Sequence, residues 1–427
     1  MQNVTLWRAL LGVEKTVVED IEFDEDEQVL VAHVRPTRRA SSRCGRCQRR
    51  SPCYDRGEGR RRWRALDLGT VQVHLEADAP RVNCGEHGPT VRAVPWARHA
   101  AGHTTVFDEQ VAWLATQCSK SAVTQLMRIA WRTVGAIITR VWADVEALHD
   151  RFAGLSRIGI DEISYTRGHR YLTVVVDHDS GRLVWAAPGR DKATLELFFD
   201  ALGEQRCAQI THVSADGADW ISTVVAEKCL NAVRCADPFH VVRWATDALD
   251  EVRRQAWNEA RGAVTQRRAG RASGHAKALK RARYALWKNP ENLTSRQQAK
   301  LAWVAKTDPR LHRAYLLKEG LRLVFQLPAE EAEEALQVWV GWARRCRIPA
   351  FVELQRRIVK HRDSILAAIE HGLSNGRIES VNTKIRLITR VAFGFRSPDA
   401  LIALAMLNLG GHRPVLPGPR QSRVVGR

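Results

Sequence analysis

The chain has 427 residues, 45% of them hydrophobic, enough to build a large core divided over two to four domains. Lys and Arg total 66 against 47 Asp and Glu, and the resulting charge of +19 implies a polyanionic partner; the basic residues are spread over folded segments, which favours nucleic acid over membrane. No apolar run reaches the length of a membrane span, and the first twenty residues lack the charged start and long apolar segment of a signal peptide, so a cytoplasmic protein is expected.

Residues 1–40 alternate loosely between apolar and polar ("EDEQVLVAHVRP") and read as a strand-rich segment. Residues 41–99 read as a zinc-binding module. Nine cysteines is an odd number, and in a cytoplasmic protein metal ligation outranks disulfides for any close pair. Cys44-x2-Cys47 and Cys84-x2-His87 are two short chelating knuckles, and their thiolates and imidazole suit one tetrahedral Zn2+. Cys53 competes with His87 for the fourth position. Between the knuckles, Arg60, Arg61, Arg62 and Arg64 surround Trp63, a pattern for phosphate contacts with some stacking, or else a solvated basic hairpin.

Residues 104–150 read as a helix-turn-helix DNA-binding domain: "SAVTQLMRI", a break at "AWR", then "TVGAIITRVWADV". Arg132, Thr133 and Arg140 are the candidates to face the major groove. From Arg157 the pattern turns to strands, and residues 155–250 read as the first part of a catalytic core. Three consecutive strands, a helix, a strand ending in acid, a helix and another strand are the succession of a ribonuclease-H-like fold. In such a fold Asp161, inside the first strand ("GIDE"), lies beside Asp216, at the end of the fourth ("SADG").

Residues 251–372 read as an all-helical insertion, because "AYLLKEGLRLVF" and "EEALQVWVGWARRC" have helical periodicity and the stretch is too long for a bare connection. Arg253 to Arg283 carries ten Lys or Arg against one acid, Glu259, so this part is either a solvated helix surface or a DNA contact. Residues 373–411 read as the last part of the core, and 412–427 as a basic disordered tail. In "SNGRIESVNTKIRLITRVAFGF", Ile378, Val381, Ile385, Ile388 and Val391 recur at helical spacing, with Glu379 near the helix start. The plain reading of Glu379 is a carboxylate facing the helix dipole. The sharper one is a third acid beside Asp161 and Asp216, so that three carboxylates hold two Mg2+ ions about 3.5–4 Å apart. Asn375, Arg377 and Lys384 then surround the site and position a DNA strand, while Glu162 and Glu370 receive no catalytic role.

"GIDE", "SADG", "ADPFH" and "SNGRIESVNTKIRLITRVAFGFRSPDALIALAML" together resemble the DDE-type transposases of bacterial insertion sequences, and specifically the ISL3 family. The resemblance covers nearly the whole chain. It implies a multidomain α+β and α/β architecture: zinc-binding module, helix-turn-helix, ribonuclease-H-like core and helical insertion. It implies catalytic Asp161, Asp216 and Glu379, with Asp237 and His240 of "ADPFH" supporting the active site. The sequence departs at His87, where many relatives carry cysteine. Also implied are binding to double-stranded DNA at terminal inverted repeats, metal-dependent strand cleavage and transfer to target DNA. Two catalytic Mg2+ (Mn2+ substituting), one structural Zn2+, a homodimer or higher oligomer on DNA, and a nucleoid-associated place in a bacterial cytoplasm follow. No Walker A pattern is present, so no ATP requirement is expected. The alternatives are a non-catalytic zinc and helix-turn-helix regulator, or a structure-selective nuclease of the same fold.

Overall fold

The structure, a computed structural model, describes residues 2–418 apart from 167, 217, 267, 268, 375 and 396, with side chains described outside 2–5 and 263–273. Asn375 and the last nine residues of the tail therefore lie outside the described residues. The chain forms two compact units, 1–150 with 388–427, and 151–387.

The first unit opens with a helix, Gln2–Leu10, where a strand-rich start is expected, and continues with seven strands: β1 (Thr16–Asp24), β2 (Val29–Pro36), β3 (Cys53–Asp55), β4 (Arg60–Arg64), β5 (Gln72–Asp78), β6 (Arg81–Cys84) and β7 (Gly88–Val91). They form two sheets, β1-β2-β5-β4 and β3-β6-β7. β5 pairs in parallel with β2, so one sheet draws strands from both 1–40 and 41–99. Alternation along β4 sends Trp63 into the core, where it meets Trp96 edge to face at 5.6 Å, beside Val73 and Leu75.

Three helices follow, Thr105–Gln117, Lys120–Met127 and Trp131–Leu148. Thr104 and Ser119 cap the first two by accepting from the N–H groups of Phe107 and Ala122. Arg128, at φ 52°, ends the second in the left-handed conformation and turns the chain. The helix Pro398–Leu409 places Ala403, Leu404 and Leu407 in the same core as Phe107, Val123 and Ile137. Its nearly unbroken apolar run "ALIALAML" suits this packing on several sides.

The second unit is built on a five-stranded sheet, ordered β10-β9-β8-β11-β12: β8 (Arg157–Thr166), β9 (Arg170–Asp177), β10 (Leu183–Pro188), β11 (His212–Ala215) and β12 (Val233–Ala236). The first three strands are antiparallel neighbours; β11 is parallel to both β8 and β12. Leu172 and Val174 to Val176 of β9 are all buried, as a strand covered on both faces requires. The helices Lys192–Leu202 and Asp219–Lys228 pack Phe198, Phe199, Val224 and Val225 against Ile158, Ile160 and Val213.

The 29-residue helix Pro238–Gln266 grows directly out of β12 and leads into the helical insertion. Leu249, Val252, Leu321, Trp339, Phe351 and Ile358 form its core, and Trp339 Nε1 donates to the Leu317 carbonyl at 2.8 Å. The helix Gly376–Val391 returns the chain to the sheet. Among the described residues, no helix is long and apolar enough to cross a membrane.

Candidate active site

Strand register assembles the acids. β11 pairs Val213 with Ile158 and Ser214 with Gly159, and β12 pairs Ala236 with Ala215. Carrying those registers to the strand ends sets Asp161, Asp216 and Asp237 level on three neighbouring parallel strands. Level residues on parallel neighbours share a face, and the carboxyl ends of strands are where such sheets take ligands. Asp237 is 3% exposed, and His240 Nδ1, one helical turn on, lies 3.5 Å from its carboxylate. Arg234 holds the turn beneath them, donating to the carbonyls of Asp216 (2.6 Å), Val213 and Cys235.

The helix Gly376–Val391 brings the third acid. It seats on β8 at Gly159, where a Cβ would collide with the side chain of Ile378 and stand 2.8 Å from His178 Nε2. Only a residue without a side chain lets the helix come this close. Ile378, Val381, Asn382 and Ile385 face inward, and Asn382 Nδ2 donates to Asp161 Oδ2 at 2.7 Å. Glu379, three residues earlier, is exposed and paired with Arg386 at 2.9 Å.

Electrostatics tie the three acids together. Burial pushes the Asp161 carboxyl above its usual range, and the negative charges of Asp216 and Glu379 push it further, against the pull of the Glu162 N–H and His240. The carboxylate oxygens do not all converge within 4.8 Å; among the described residues only the cysteine–histidine group does so. Glu162, given no role from sequence, belongs to the same neighbourhood. Burial raises it to about 7, Asp216 and Asp161 add to the rise, and Arg190, at 3.3 Å, opposes it. Asn382 is also missed from sequence. Its signal is a polar residue inside the apolar stripe of Ile378, Val381 and Ile385, on the helix that bears Glu379.

Cys44, Cys47, Cys84 and His87 form the one group among the described residues whose ligand atoms all lie within 4.8 Å of one another. The edges are 3.6 Å for Cys47 to Cys84, 3.7 Å for Cys84 to His87 Nδ1 and 3.9 Å for Cys44 to His87 Nδ1. A tetrahedron with bonds of about 2.0–2.3 Å has edges of this size, so the set fits structural zinc. The backbone N–H of Glu86 does most to hold the Cys84 thiol down to about 6, with His87 next. Cys53 is exposed on β3, outside the group.

The expected DNA contacts divide. Trp63 is 2% exposed and Arg64 7%, and Arg64 pairs with Asp67, so neither is a surface contact. Arg61 donates to the Ala101 carbonyl and lies over Trp63. Arg60 and Arg62 are exposed but share Glu76. Arg140 binds both oxygens of Asp108, which is wholly buried, and clasps the helical cluster rather than facing outward. Arg132 is exposed and Thr133 half-buried at the start of Trp131–Leu148. Arg377 donates to the carbonyls of His178 and Asp179, which makes it a clasp between the helix and the turn after β9. Lys384 is exposed.

Three family patterns match the chain in order: a zinc-finger of transposases of the IS204/IS1001/IS1096/IS1165 group over residues 40–87, the helix-turn-helix domain of transposase family ISL3 over 92–142, and a transposase domain of the same family over 158–405. The chain is 67% identical to the transposase for insertion sequence element IS1557 of Mycobacterium tuberculosis strain CDC 1551, with 98% of each chain covered, and equally to its counterpart in strain H37Rv. It is 27% identical to the transposase for insertion sequence element IS1001 of Bordetella parapertussis, covering 93% of this chain and 96% of that one.

Proposed function

The chain belongs to the ISL3 family of insertion-sequence transposases, and we propose that it cuts and rejoins DNA at the terminal inverted repeats of its element with Asp161, Asp216 and Glu379 as the catalytic acids. The observation that carries this reading is that Asp161 feels the charges of both Asp216 and Glu379, one from the neighbouring strand and one from a helix far along the chain. Three carboxylates that repel one another offer the all-oxygen donor set that hard cations prefer. Two Mg2+ ions, or Mn2+ in their place, supply the Lewis acidity that activates the attacking oxygen and neutralises the leaving one.

The chain's own residues do the rest. Asn382 orients Asp161, leaving its second oxygen to the N–H of Glu162 at 2.7 Å. Asp237 and His240 support the site from the neighbouring strand end and helix start. The strand order and succession support a ribonuclease-H-like core, interrupted between Asp237 and Gly376 by the helical insertion. His87 completes the ligand set of one structural zinc. Arg132 and Thr133 stand where the second helix of a helix-turn-helix meets the major groove, and Lys384 supplies a free cation on the Glu379 helix. Exchange of one phosphodiester for another needs no ATP, and acting on two ends of one element calls for at least a dimer.

The test is incubation of full-length protein with labelled duplex from the element's own ends, with and without Mg2+. A Mg2+-dependent cut at the repeat boundary supports the reading. Repeat binding with no cut under either condition leaves a DNA-binding regulator.

A further inference from the structure

The helical insertion holds a cleft of about 670 Å3 walled by the helices Pro238–Gln266, Ala269–Arg281, Arg283–Trp287 and Ser295–Thr307. Its lining is almost wholly cationic. Lys277, Lys280, Arg281 and Arg283 are exposed at its edge, and Lys300 donates to the Arg281 carbonyl at 3.3 Å. Arg253 and Arg254 also line the cleft and share Asp250, while Glu259 is held by Arg310. Cations gathered this closely repel one another until an anion shares the space, so the cleft is an electrostatic trap for phosphates.

Aromatic rings set its finer chemistry. Arg261 and Lys280 lie over the Trp257 ring at 4.9 and 5.9 Å, and Arg283 over Trp287 at 3.8 Å, which fixes the cations in place. Tyr284 instead stays 64% exposed. Its ring makes a T-shaped contact with Trp287 at 6.3 Å, and an exposed ring beside concave basic walls suits bases that are not already stacked in a duplex. The position also fits. The helix that starts beside Asp237 and carries His240 reaches the cleft at Trp257, and at 1.5 Å per residue that is about 30 Å from Asp237.

We propose that this cleft binds one unpaired DNA strand, its phosphates on Lys277, Lys280, Arg281 and Arg283 and a base on Tyr284. The inference rests on the reading that the chain cuts DNA: strand cleavage is what produces an unpaired strand near the sheet, and the cleft holds it along the helix.

The experiment measures binding of full-length protein to fluorescent oligo(dT), to a random duplex and to a repeat-end duplex across a salt series. The variants are Lys280→Ala with Arg283→Ala, Tyr284→Ala and Tyr284→Phe, all on exposed positions. Tyr284→Ala should weaken oligo(dT) binding about tenfold, and Tyr284→Phe should restore it, because stacking needs the ring and not the hydroxyl. The double variant should flatten the dependence of log K on log salt by about 1.4, at about 0.7 per lost single-strand contact. Repeat-end binding should stay at the wild-type level throughout. Unchanged oligo(dT) binding in both alanine variants overturns the proposal, and so does an equal loss on random duplex. If wild type cuts no repeat end but the strand-binding losses appear as stated, the catalytic reading fails and the cleft stands.

Discussion

Asp161 sits where a negative charge is costly, half out of water with two further acids acting on it. Asn382 is its fixed partner, and replacing Asn382 with Ala removes the donor without touching the carboxylate. Residues that orient a metal-binding carboxylate are worth about 10–100-fold, so cleavage should slow by that factor while repeat-end affinity stays constant. Parallel binding and single-turnover assays check this. His178 has the opposite electrostatic problem. It is 4% exposed, 2.6 Å from Ser214 Oγ, and burial holds it down to about 4, with Arg377 and Arg157 adding to the effect. An unfolded histidine titrates near about 6.5. The neutral ring's contribution is therefore complete above about 6.5 and drains away as pH falls toward 4, with about 2 kcal/mol lost between about pH 7 and 5. Urea unfolding at both pH values should show this loss in wild type and much less of it in His178→Gln. At this scale the sequence reveals acids at strand ends, because a charge inside an apolar strand is conspicuous. It hides Arg140, Arg64 and Arg377, whose partners Asp108, Asp67 and the His178 carbonyl are set by folding; an arginine in a clasp and one awaiting phosphate look alike.

Helix docking on β8 depends on Gly159. A methyl group there meets Ile378 and His178 at once, and overpacking of this kind costs about 1–3 kcal/mol. Gly159→Ala should lower stability by that amount and slow cleavage, because the displaced helix carries both Glu379 and Asn382; denaturant midpoints and cleavage rates measured on the same preparations check it. The zinc knuckles are the second element to test. Cys84→Ser should lose the metal, while Cys53→Ser keeps it, as measured by metal content after dialysis. The knuckles were legible because each chelating pair is local in sequence, three residues apart; the break between helices was read at "AWR", slightly after the left-handed Arg128 that ends the helix. The parallel pairing of β2 with β5 was not legible, since register between distant strands leaves no local mark. Nor was the placing of Trp63, which reads as a stacking residue among arginines until the sheet turns it inward.

On the scale of the whole molecule, positive charge is divided by task. Much of the arginine in the zinc-bearing sheets is consumed by internal pairs, such as Arg81 with Asp55 and Arg62 with Glu76. In the insertion cleft Lys277, Lys280, Arg281 and Arg283 are exposed instead. The order of zinc module, three-helix cluster, acid-bearing sheet and helical insertion was readable in chain order from knuckle spacing, helical period and strand succession. The division into two units was not, because the final helix leaves the sheet for the helical cluster on packing grounds alone. The central claim is that an acid on a late helix completes a site begun on two strands. The direct measurement is Mg2+-dependent cleavage of a repeat-end duplex by wild type, Glu379→Gln and Glu370→Gln at matched concentration. The expected result is unchanged DNA binding in all three, wild-type cutting by Glu370→Gln, and cutting by Glu379→Gln reduced by orders of magnitude. Cutting by Glu379→Gln at the wild-type rate would contradict it.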